Sequence, residues 1–126
     1  MNQKKAHVAV IDDDESFARA IGRLLRASGY DVQTFISGEA FLAAAHVPRP
    51  DCLVLDIQLG DCMSGVEVQQ HLRDHNDKYP IIFVTAHDAP EIRAQAERAG
   101  CIAYLRKPVL SHALIAAITA AIATKN

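Results

Sequence analysis

The sequence predicts an α/β domain: a doubly wound parallel sheet of five strand–helix units, (βα)5, with helices on both faces. Three observations predict it. Short apolar runs alternate with longer amphipathic ones along the 126 residues, which is the pattern that crossover connections between parallel strands impose. The first, third and fourth of the short runs are apolar throughout, as strands covered on both faces should be. Glycine and proline mark the joins between runs.

Taken in order, His7–Ile11 is the first strand and Glu15–Ala27 the helix after it, ended by Ser28-Gly29. Asp31–Ile36 is the second strand and Gly38–Ala45 the second helix, and Pro48 and Pro50 separate that helix from the third strand, Cys52–Leu55. The third helix is expected over Gly65–Asn76, the fourth strand over Ile81–Val84, and the fourth helix over Glu91–Ala99, stopped by Gly100. Ile102–Leu105 is the fifth strand. Leu110–Thr124 closes the chain as a helix with Leu114, Ile115, Ile118 and Ile122 on a core-facing stripe and Ala116, Thr119, Ala120 and Ala123 opposite. No linker, repeat or low-complexity tract interrupts this, so residues 1–126 are expected to form one domain.

Composition narrows the function. Half of the residues are hydrophobic, enough for a real core. The formal net charge is −2 with no basic run, which argues against a nucleic-acid surface. No apolar run is long enough to span a bilayer, and the N-terminus passes into a strand without a signal-peptide core. Cys52, Cys62 and Cys101 form no C-x-x-C pair and are expected to be buried free thiols in a reducing cytoplasm.

In a sheet of this kind, chemistry gathers at the carboxyl ends of the strands, where strand order reverses. Asp12, Asp13 and Asp14 follow the first strand, Asp56 the third, Thr85 the fourth and Lys107 the fifth. In the order 2-1-3-4-5 the reversal lies between strands one and three, so the acids line the crevice. Several carboxylates without clustered histidine or thiol favour a hard cation with oxygen ligands, above all Mg²⁺. Lysine and threonine opposite them suit phosphoryl oxygens. No glycine-rich loop is present to cradle a nucleotide, so the phosphoryl group is expected to arrive on a partner. Asp56, at the centre of the crevice, could accept it as an acyl phosphate. Asp14 is expected to be a helix N-cap or a solvated residue.

The segments VAVIDDDES, CLVLDIQLGDCMSGVEV, FVTAH and AYLRKPV together resemble the receiver domain of bacterial two-component response regulators, in order and over essentially the whole chain. The resemblance implies a flavodoxin-like fold and a role as a phosphorylation switch that assists only its own phosphorylation and dephosphorylation. It makes Asp56 the phosphoacceptor, charged by the phosphohistidine of a histidine kinase or phosphotransfer protein. It makes Asp13 a direct Mg²⁺ ligand, Asp12 the holder of a metal-bound water, and the backbone carbonyl of Gln58 a further ligand. Lys107 would pair with the acceptor and then with the phosphoryl group, and its peptide bond to Pro108 would be cis. Thr85 would move to the phosphoryl oxygen, and Tyr104 would turn inward behind it. Output would pass through the fourth helix, fifth strand and fifth helix, a surface that could also form a homodimer.

The pattern departs from the family in the loop after Asp56, where Gly60-Asp61 replaces a proline-containing turn and Asp61 could compete for the cation. That loop keeps open a receiver-like binding module that is never phosphorylated. A small Mg²⁺-dependent phosphohydrolase is the other alternative, since Asp12-x-Asp14 loosely resembles an aspartyl-phosphate phosphatase. His71 and His75, four apart on a helix, read as a solvated face. His87 reads as a residue at the rim of the pocket or a solvent-facing one.

Overall fold

A computed structural model of the chain describes residues 5–60, 63–87 and 89–125. The elements alternate as expected: β1 (His7–Ile11), α1 (Glu15–Ala27), β2 (Asp31–Phe35), α2 (Gly38–Ala43), β3 (Cys52–Asp56), α3 (Gly65–Asp74), β4 (Ile81–Thr85), α4 (Pro90–Ala99), β5 (Ala103–Arg106) and α5 (Ser111–Lys125). All four strand pairings are parallel, in the order β2-β1-β3-β4-β5. This is the flavodoxin-like arrangement with its reversal between β1 and β3.

The apolar strands divide their side chains between two cores by simple alternation. Ala9, Ile11, Leu53, Leu55, Ile81 and Phe83 face one way and pack with Phe41 of α2, Val68 and Leu72 of α3 and Ala96 of α4. Val8, Val10, Cys52, Val54, Ile82 and Val84 face the other way, onto Ile21 and Leu25 of α1 and Leu114 and Ile118 of α5. The stripe on α5 is as expected, except that Ala121 is buried while Ile115 and Ile122 sit at its edge.

Several element ends differ from the sequence reading by a residue or two. α3 stops at Asp74 because Asn76 turns left-handed, with φ 55°. α2 stops at Ala43 because Ala44 is extended, and His46 then hydrogen-bonds through Nε2 to the Phe41 carbonyl at 2.8 Å. β3 and β4 each run one residue further and take in Asp56 and Thr85, which pairs Asp56 with Val84 and Thr85 with Arg106. Two residues expected to serve as chemistry just beyond the strands are therefore held by the sheet itself. The Lys107–Pro108 bond is cis, as the resemblance implied, and Val47–Pro48 is cis as well.

No helix among the described residues is long and apolar enough to cross a membrane. Cys52 is buried, its thiol pushed up to about 12 by burial and by the neighbouring Asp51 charge, while Cys101 is half-buried. Cys62 lies outside the described residues.

Candidate functional site

The site stands at the carboxyl edge of the sheet, where the ends of β1, β3 and β5 converge. Asp12 leaves β1 with its own N–H bonded to the Phe35 carbonyl of β2 at 3.0 Å. That bond holds Asp12 inside the fold, 1% exposed. Its Oδ1 accepts from the Asp14 N–H at 2.9 Å and its Oδ2 from Lys107 Nζ at 2.9 Å. Asp56 ends β3 at 5% exposed, accepting from the Gln58 N–H at 3.1 Å and from Lys107 Nζ at 3.2 Å. Asp13 is exposed beside them, and carboxylate oxygens of Asp12, Asp13 and Asp56 lie within 4.8 Å of one another.

Two glycines permit this packing. Gly65 opens α3 directly against the Asp56 backbone, where a β-carbon would collide with the Asp56 carbonyl. Gly60 has φ +70°, and a β-carbon there would stand 3.2 Å from Asp13 Oδ2. The unusual third loop therefore comes up against the exposed acid of the cluster. Asp61, the residue that could compete for the cation, lies outside the described residues.

The electrostatics follow from burial. Asp56 is raised from 3.8 to about 6, first by loss of solvent and then by the Asp12 charge, with Lys107 and the Gln58 N–H opposing. Burial alone would lower Lys107, but the hydrogen bond to Asp12 and the charges of Asp56 and Asp12 outweigh it and hold the ammonium above its ordinary value. The pair is thus favourable for the lysine, while burial and the Asp12 charge make the ionised form of Asp56 costly. Two carboxylates share one ammonium, and a third stands close by. That excess of negative oxygen donors suits a hard divalent cation.

Thr85 is fully buried, and its hydroxyl is engaged by its own loop, donating to the His87 carbonyl at 3.0 Å and accepting from the His87 N–H at 3.1 Å. Tyr104 is half-buried over Phe83, with the Arg93 guanidinium 5.2 Å from its ring centroid. Gln58 and His87 line a cavity of about 880 Å³ together with Asp13, Asp56 and Lys107. His71 and His75 stack on each other at 4.2 Å, away from the acid cluster.

Asp14 is the N-cap of α1, its Oδ1 accepting from the Phe17 N–H at 3.2 Å. The sequence reading passed over Phe17, whose ring centroid lies 4.2 Å from Lys107 Nζ. The available signal was an aromatic residue one turn into the helix that the acidic run opens.

Comparison with known proteins agrees with this geometry. The model of the response regulator receiver domain family matches residues 8–119. The chain belongs to that family. Response regulator protein TodT of Pseudomonas putida is 31% identical to this receiver over 122 residues, covering 97% of the chain and 53% of TodT. The probable transcriptional regulatory protein TcrX of Mycobacterium tuberculosis is 40% identical over 101 residues, covering 80% and 43%. The receiver thus spans about half the length of these relatives. The crystal structure of a response regulator receiver protein from Burkholderia phymatum is 43% identical with a TM-score of 0.81, covering 94% of this chain and 96% of that one.

Proposed function

We propose that residues 1–126 act as one phosphorylation-switched receiver in the cytoplasm, with Asp56 accepting a phosphoryl group from the phosphohistidine of a sensor kinase or phosphotransfer protein. One observation carries the reading: the Asp56 carboxylate, 5% exposed, is held 3.2 Å from the Lys107 ammonium inside a cluster of carboxylates. Without a cation, burial and the Asp12 charge raise the proton affinity of that carboxylate. In the transfer an Asp56 oxygen attacks phosphorus while the P–N bond to the donor imidazole breaks. The bonding pair leaves with the imidazole nitrogen, which takes a proton from solvent. An acyl phosphate on Asp56 and a free histidine result.

Asp13, Asp56 and the Gln58 backbone carbonyl would hold Mg²⁺, and Asp12 a water bound to it. The cation supplies positive charge that offsets the phosphoryl oxygens. Lys107 follows the charge from the carboxylate to the phosphoryl group. The Thr85 hydroxyl exchanges its His87 partners for a phosphoryl oxygen, and Tyr104 moves in behind it, so that a local charge event biases a two-state element. The output face is α4, β5 and α5; Ile102, just before β5, is 41% exposed and Leu110, just before α5, 64%. Its occupant is a second copy of the receiver or a separate output protein or module.

The test is intact mass after incubation with acetyl phosphate, with and without Mg²⁺, beside an Asp56→Asn control. A single Mg²⁺-dependent phosphate adduct absent from the control is expected. No adduct and no Mg²⁺ binding would leave the receiver as a module that acts by shape alone.

A further inference from the structure

Lys107 carries an ammonium with three donors on a flexible stem. Two donors are accounted for by Asp12 Oδ2 at 2.9 Å and Asp56 Oδ2 at 3.2 Å. The ring of Phe17 lies 4.2 Å from the same nitrogen, and the lysine side chain is only 15% exposed. The ring occupies a sector where water would otherwise solvate the charge, and its π face attracts the cation in return.

Phe17 is also fixed in place. Its N–H is bonded to Asp14 Oδ1, and the Asp14 N–H to Asp12 Oδ1, so the run from Asp12 to Phe17 closes a circuit through Lys107 back to Asp12. The third aspartate sets the first turn of α1, and that turn presents the ring to the lysine.

We infer that Phe17 is a positioning residue: its ring holds the Lys107 ammonium between Asp12 and Asp56, and so sets how readily Asp56 is phosphorylated. The inference rests on the role of Lys107 proposed above. It separates two properties of the side chain. Phe17 is half-buried against the core shared by α1 and α5, so leucine keeps the apolar packing and loses the ring, whereas tyrosine keeps the ring face.

Phe17→Leu and Phe17→Tyr would be compared with the unaltered chain, with Phe17→Met as the second ring-free variant if leucine does not fold. The first readout is the rate at which acetic anhydride acylates Lys107, measured by peptide mass spectrometry with the other lysines as internal reference. The second is the rate at which acetyl phosphate labels Asp56 at saturating Mg²⁺. Loss of the ring is expected to raise Lys107 acylation and slow Asp56 labelling, each by about threefold to tenfold, the range of a partly desolvated cation–π contact. Tyrosine is expected to stay within about twofold of the unaltered chain, since it keeps the ring face.

Unchanged Lys107 reactivity without the ring would overturn the inference. So would a tyrosine variant as altered as the leucine one, or unaltered labelling of Asp56 once Lys107 has become reactive. If the unaltered chain takes no phosphoryl group, the proposed function fails, and Lys107 acylation still decides whether the ring positions the ammonium.

Discussion

Replacing Asp56 by asparagine should stabilise the metal-free receiver at neutral pH. The carboxylate is buried, shares Lys107 with Asp12, and is raised from 3.8 to about 6. An acid with a raised folded-state value binds its proton more tightly in the folded chain. Its ionisation therefore costs nothing below about pH 4, costs progressively more between about pH 4 and 6, and costs a constant amount above that. The unscreened cost is about 3 kcal/mol at 1.36 kcal/mol for each tenfold change in proton affinity. The site opens to solvent on the Asp13 side, and screening brings this to about 1–2 kcal/mol. Asparagine keeps the shape and the acceptor for the Gln58 N–H but carries no charge. Without Mg²⁺, Asp56→Asn should melt about 3–8 °C higher at pH 7.5. The gap should narrow towards pH 4.5, and added Mg²⁺ should raise the unaltered chain more than the variant. Thermal denaturation followed by circular dichroism measures all three. A variant that melts at or below the unaltered chain at pH 7.5, or a gap insensitive to pH, would refute the claim that the ionised form of Asp56 is costly.

Removing the ammonium should have the opposite effect. Lys107→Met leaves Asp12 and Asp56 facing each other with no cation between them and should cost roughly 2–4 kcal/mol at pH 7.5 in urea titrations. That loss should shrink at pH 5, where Asp56 takes up a proton, and equal losses at both values would contradict the charge argument. Gly65→Ala drives a methyl group into the Asp56 carbonyl, and it should lower stability by about 2 kcal/mol or more while also slowing Asp56 labelling. A fully stable, fully labelled alanine variant would show that the start of α3 can move aside. Asp14→Ala removes the α1 cap and should cost about 1 kcal/mol, read from the same titrations. No measurable change would mean that the Phe17 N–H finds a solvent partner equally well.

The architecture and the edge that carries the acids were legible in the residue pattern. Five apolar runs spaced by amphipathic ones leave little choice but a parallel sheet, because each strand must be covered on both faces and each crossover must return to the same edge. Acids after the first and third runs and a lysine after the fifth then fall on one edge whatever the details. How those residues divide the work follows from the folded contacts. The three consecutive aspartates are alike in composition, yet Asp12 is buried on Lys107, Asp13 faces the open side of the cluster, and Asp14 caps α1. That division depends on the register that brings Lys107 to Asp12 across 95 positions of chain. The seating of Gly65 under Asp56 and of Phe17 beside Lys107 depends on it as well. Periodicity encodes which face a side chain takes, a local property. Which charge meets which follows from contacts between segments far apart in sequence, and these exist only once the sheet has closed.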